Sequence, residues 1–210
     1  MGWGSKAQSF PIYKDLLTAH SPYFKLCLDD AWEEGKTNTV RLEDDDPEAF
    51  EAVVGWLFRD PSAINPTDTP ASRSIARQYR LADKLLMTQL KNDILDGLRA
   101  CESARNSSMT VGALDLLYSQ GLQGTPLYDY CLKSYVWKFG TPGVWCLGRT
   151  FADARGSLTN EVVIKDLILR MFEFMHQRWD DPRKEIGCVY HDHTHGSSCR
   201  AVRGVKRRHE

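Results

Sequence analysis

A mostly helical α+β fold, with a small sheet flanked by helices and a helical extension behind it, is what this sequence predicts. Three observations carry the prediction. Two short segments near the front alternate apolar and polar side chains at the strand period of two. From residue 45 onward, apolar residues instead recur at helical spacing in one segment after another. A polar interval over 101–109, containing Asn106-Ser107-Ser108, separates an early group of elements from a later one.

Ser9 to Tyr13 places Phe10 and Ile12 on one side and reads as a strand. Lys14 to His20 and Pro22 to Leu28 read as two short helices, with Leu16, Leu17, Phe24 and Leu28 as their apolar faces. Ser21 is a natural N-cap and Pro22 a natural first helical residue. Asn38 to Leu42 is the second strand candidate, with Val40 and Leu42 pointing the same way. Asp45 and Glu48 have capping-box spacing ahead of Phe50, Val53, Val54 and Leu57, which share one helix face. Asp46 and Pro47 suit the same first turn, where negative charge complements the helix dipole.

Residues 60–72 carry three prolines and no periodicity, which predicts a loop. Helices resume near 73, with Ile75, Tyr79, Ala82, Leu85 and Leu86 on one face. Met87, Leu90, Ile94 and Leu98 line the next, with Thr88 as its N-cap. Beyond the polar interval, Leu114, Leu117 and Tyr118 mark a short helix. Tyr128, Cys131, Leu132, Tyr135 and Phe139 mark a longer one. Ile164, Leu167, Ile168, Met171, Phe172 and Met175 form a stripe over about 160–179. Residues 140–158, with their glycines and Trp145, read as a turn region. Trp32, Trp56, Trp137, Trp145 and Trp179 are expected in or against the core.

The composition narrows the function classes. The 210 residues could hold one large domain, or one of about 100–120 residues with an appendage. A formal net charge of −1 gives no bulk attraction for nucleic acid or an anionic membrane. No 18-residue apolar run exists, so no transmembrane helix is expected. The opening residues lack an apolar signal core, and Lys6 stands where a myristoylation pattern needs Ser or Thr. The six cysteines are therefore expected to be reduced, in a cytoplasmic or nuclear protein.

Phe10-Pro11-Ile12-Tyr13-Lys14-Asp15-Leu16-Leu17, followed by Ser21-Pro22-Tyr23-Phe24, resembles the BTB/POZ signature. In that family a strand ending in His-Lys leads into two short helices with an S-x-Y/F-F element. An acidic turn before a helix rich in Phe and Leu is matched by Leu42-Glu43-Asp44-Asp45-Asp46-Pro47-Glu48-Ala49-Phe50 through Trp56-Leu57-Phe58. A tyrosine-to-leucine helix pair is matched by Tyr79-Arg80-Leu81-Ala82-Asp83-Lys84-Leu85 and Leu90-Lys91-Asn92. The resemblance covers roughly residues 7–103. The wording is most similar to filamentous-fungal BTB proteins, whose single domain precedes a helical region. Tyr13 replaces the family's usual His. About nine residues precede the Phe10 strand, where the family has a further strand.

The resemblance implies a Skp1-like fold with an N-terminally truncated BTB/POZ domain at 1–105 and a helical extension at 106–180. A polar, His-rich and basic tail, expected to be disordered, takes up 181–210. It also implies a non-catalytic scaffold or adaptor whose partners are proteins: a second copy of itself, or cullin-3 for a ubiquitin-ligase adaptor. A nuclear transcription-regulatory cofactor is the remaining alternative. The partner-binding residues implied are Phe10, Tyr13, Leu16, Leu17, Tyr23, Phe24, Phe50 and Phe58.

Other chemistry finds little foothold. There is no G-x-S-x-G element and no Gly-rich phosphate loop. Cys27, at helical spacing from Phe24 and Leu28, reads as core. The run Glu43 to Asp46 is explained by capping and solvation. No enzyme activity, cofactor or small-molecule substrate is expected. Cys188, His191, His193, His195 and Cys199 are the residue types zinc prefers. Alternating His-x-His-x-His is not a common structural-zinc spacing, so a solvated tail without metal is expected there. Arg200, Arg203, Lys206, Arg207 and Arg208 suit a localisation signal or a charged tail; without interleaved aromatics, direct nucleic-acid binding is not expected.

Overall fold

Chemically marked ends divide the front of the chain into short helices. A computed structural model describes residues 8–60, 63–64, 71–140 and 160–194. Helix α1 (Lys14–His20) stops at Ser21, which then caps α2 (Pro22–Cys27), with Pro22 in its first turn. The Ser21 hydroxyl accepts from the Phe24 N–H at 3.2 Å and donates to the Leu85 carbonyl at 2.6 Å. That buried hydroxyl fastens the front of the chain to residues far along it. Capping and a buried hydrogen bond are together worth about 2 kcal/mol.

Helix α3 (Glu33–Thr37) is a finding that no sequence pattern announces. Its Gly35 lies against the backbone of Asp29, where a Cβ would stand 2.0 Å from the carbonyl oxygen. Helix α4 (Pro47–Leu57) buries Ala49, Ala52, Val53 and Leu57. Its N-cap is Asp46 rather than Asp45, the Asp46 carboxylate accepting from the Glu48 N–H at 3.2 Å. Asp45 pairs instead with Lys84 at 2.6 Å, and Asp46 also takes Arg77 at 2.7 Å. The acidic turn thus serves both as cap and as a tie to α5 (Ala71–Lys84).

Between α5 and α6 (Thr88–Ala104) the chain turns at Leu86, which has φ 56°. Leu86 therefore points outward, off the face the sequence assigned it, while Leu85 and Met87 on either side are buried. Thr88 is the first helical residue and not the cap; Met87 holds that place without a side-chain bond. Helix α7 (Val111–Ser119) is capped by Thr110, α8 spans Pro126–Gly140, and Asn160 caps α9 (Glu161–Gln177) through the Val162 and Val163 amides.

One hydrophobic core runs from Leu17 to Tyr190. Helix α4 packs on α5, α5 on both α6 and α7, α7 on α8, and α9 on α8 and α7. Helix α5 thus joins the early and late groups on either side of the polar interval. Among the described residues no helix is long and apolar enough to cross a membrane.

The structure corrects four further expectations. Residues 9–13 and 38–42 form no strand, and none occurs among the described residues. Ile12, Val40 and Leu42 still pack on the core, so the alternation registers which side chains are covered. A strand also needs a partner ladder, which alternation does not supply. On α9 only Val163 and Leu167 are buried, while Ile168, Met171, Phe172 and Met175 of the stripe are exposed. A stripe marks an apolar face without saying what covers it. Trp32 is exposed rather than core. Residues 181–194, placed by sequence in a disordered tail, instead dock on the folded body, with Arg183 and Tyr190 buried. The 140–158 turn region apart from Gly140, Trp145, His195, Cys199 and the basic cluster lie outside the described residues.

Candidate functional site

The front surface is built where α1, α2 and the end of α4 meet. Leu17 and Phe24, expected to bind partners, are buried and belong to the core, because α1 and α2 turn these positions inward against α4. Phe10 and Phe50 face each other with ring centroids 5.0 Å apart, and Phe24 meets Phe50 edge-on at 6.4 Å. Tyr23 and Leu16 are half-buried against the same cluster. Tyr13 and Phe58 remain outside, 77% and 56% exposed. Two further apolar residues share that exposure and were missed by pattern: Leu26 at 68% and Trp32 at 63%. Lys14 reaches Asp30 at 3.4 Å, bringing the Tyr13 end of α1 beside the turn that carries Trp32.

Exposed aromatics at helix ends and a leucine on α2 are the raw material of an interface, since each offers large apolar area. Their mounting is firm. The Trp56 indole donates to Asp93 on α6 at 2.8 Å and meets His20 edge-on at 5.3 Å, locking α4, α6 and the end of α1 together.

A second polar assembly holds α6 to α8. Glu102 is buried and accepts from the Tyr130 hydroxyl at 2.6 Å and the Ser134 hydroxyl at 3.0 Å. Burial raises the Glu102 carboxyl above its ordinary 4.5, while the two hydroxyls, the Met109 amide and Arg183 pull it part of the way back. The folded state therefore holds this proton more tightly than the unfolded chain. The stability it contributes is complete below about pH 4.5 and is lost as pH rises through the raised value. Glu102→Gln, which keeps an acceptor oxygen but cannot ionise, should gain stability relative to wild type between about pH 4 and pH 7. Urea unfolding at both ends of that range measures the difference; a constant gap between the two proteins would refute it.

The docked segment 181–194 lies along α6. Lys91 bridges Asp83 at 2.8 Å and Asp192 at 2.7 Å. The Asn92 side chain donates to the Asp192 carbonyl and accepts from its N–H, both at 2.9 Å. Burial alone would raise the Asp192 carboxyl, but Lys91 and Thr194 hold it well below the usual carboxylate range. Tyr190 packs edge-on against Tyr130 at 5.3 Å. This anchoring gathers Cys188, His191 and His193, whose ligand atoms all lie within 4.8 Å of one another. Beside them an open cleft of about 540 Å³ runs between α8 and α9, lined by Tyr128, Asp129, Asp166, Arg170 and His191. Within it Arg170 pairs with Asp129 and Glu173, while Asp166 accepts from the Tyr128 hydroxyl and the Gln123 side-chain amide, each at 3.0 Å.

Comparison with known proteins follows the same outline. Residues 4–101 match the family model for the BTB/POZ domain. TD and POZ domain-containing protein 4 of Mus musculus is 27% identical over 125 residues, covering 59% of this chain and 32% of that protein. The chain thus aligns with about a third of the length of that curated relative. No solved structure matches.

Proposed function

From the premise that this chain carries a BTB/POZ domain over residues 4–101, we propose that it is a non-catalytic scaffold that associates with itself through that domain. The observation that carries the reading is the set of large apolar side chains left outside the core: Tyr13, Leu26, Trp32 and Phe58. A formal net charge of −1 puts little repulsion between two copies. The exposed face of α9 offers a second docking surface. Cytosol or nucleus is the compartment this reading expects.

Leu26→Glu and Phe58→Glu should each weaken self-association at least about tenfold. Each should change stability by under about 0.5 kcal/mol, since both side chains are more than half exposed. Sedimentation and urea unfolding of the purified variants separate the two effects. Unchanged association in both variants would remove these residues from the interface.

The cullin-3 adaptor reading is narrower and is favoured by one feature, the exposed Phe58 at the end of α4. It predicts co-purification with cullin-3 that Phe58→Glu abolishes. A transcription-regulatory role rests on the basic cluster at 200–208, and deleting residues 200–210 should then shift a fluorescent fusion out of the nucleus.

A further inference from the structure

We infer that Cys188, His191 and His193 form a zinc-binding site that braces the 188–194 segment where it docks on α6. Their ligand atoms lie within 4.8 Å of one another. Around tetrahedral zinc, sulfur at about 2.3 Å and nitrogens at about 2.0–2.1 Å stand roughly 3.3–3.6 Å apart. The cluster therefore needs to close by up to about 1.2–1.5 Å, a change within reach of side-chain torsions. One thiolate with two imidazoles suits zinc better than a hard cation such as calcium or magnesium, which takes oxygen ligands.

The surroundings already have the form of a metal site. His191 Nε2 lies 2.9 Å from the Asp96 carboxylate on α6. A carboxylate behind a ligating histidine fixes its tautomer and strengthens it as a ligand. The backbone between the ligands is held independently of any metal: the His191 N–H bonds to the Cys188 carbonyl at 3.1 Å, and Asn92 clamps Asp192 from both sides. His191 and His193 flank that clamped residue, with rings 6.2 Å apart. Gly187, at φ 102°, makes the turn that presents Cys188. His191 also lines the open cleft, which gives an ion a path from solvent. Binding ties the 188–193 turn together and reinforces the existing attachment to α6 through the His191–Asp96 contact and the contacts of Asp192.

The test uses the full untagged chain, purified, reduced and loaded with Co²⁺ as a spectroscopic stand-in, then titrated with Zn²⁺. One equivalent of Co²⁺ should give visible d–d bands and a thiolate-to-cobalt charge-transfer band, both lost as Zn²⁺ displaces it. Cys188→Ser should abolish the charge-transfer band, and His191→Ala or His193→Ala should weaken binding at least about tenfold. Asp96→Asn should weaken it by about tenfold while leaving the band shape unchanged. His176→Ala, on α9, should alter nothing. Hydrogen exchange of residues 188–194 should slow on adding Zn²⁺ to wild type but not to Cys188→Ser. Absence of stoichiometric binding, or a charge-transfer band that survives Cys188→Ser, would overturn the assignment.

Discussion

Leu114→Ala is expected to lower stability by about 3–4 kcal/mol, and to do so for the whole chain at once. Leu114 is fully buried on α7, the helix that packs on α5, α8 and α9 together. Removing its branched end leaves a cavity at the helix that packs on elements from both halves of the sequence. A rigid helix framework collapses poorly into such a space, which is why buried leucines cost more than their transfer energy alone. Because one core runs from Leu17 to Tyr190, the loss should appear in α5 and α6 as well as in α8. Hydrogen exchange resolved by peptide measures this: residues 71–104 and 126–140 should lose protection in parallel. Loss confined to 111–140 would show that the extension unfolds as a unit of its own.

Lys91→Met should cost about 2–3 kcal/mol and release the 188–194 segment from α6. The Lys91 ammonium is nearly buried and neutralises Asp192, whose own side chain is largely covered. Methionine fills the stem's volume but leaves that carboxylate without its cation. Stranding one partner of a buried pair costs about 3–5 kcal/mol; partial exposure of this pair brings the expectation down. The second partner, Asp83, is more than half exposed and adds little. Adding Asp192→Asn to Lys91→Met should recover part of the loss, since the stranded charge is then gone. Urea unfolding of the two single variants and the double variant completes the cycle, and purely additive losses would contradict the pairing.

Much of the fold could be read from residue types at helix ends. Ser21 with Pro22 marks a start that the structure keeps, and the acidic run before Pro47 marks the next to within one residue, because caps act locally and leave a local signature. Spacing found the core positions Met87, Leu90, Ile94 and Leu98 and, Leu86 apart, those of α5; on α4 it found Val53 and Leu57 but not Ala49 or Ala52. Elsewhere, local pattern and tertiary outcome part company. The alternation at 9–13 and 38–42 was real but lacked a ladder. Helix α3, five residues long, is set by the fit of Gly35 over Asp29, a contact with no periodicity to show. Leu17 and Phe24 were legible as apolar but not as inward-facing, whereas Leu26 stood in the same helix as Phe24 and faces out. The docking of 181–194 depends on Lys91 and Asn92, about a hundred residues away in sequence, so polar composition alone read it as a tail.

Light scattering of the untagged protein over about a hundredfold range of concentration tests the central claim most directly. Self-association through the BTB/POZ domain predicts twice the chain mass of 23.9 kDa at the upper end, with dissociation on dilution moved to higher concentration by Leu26→Glu and Phe58→Glu. A mass of one chain throughout the range would contradict it.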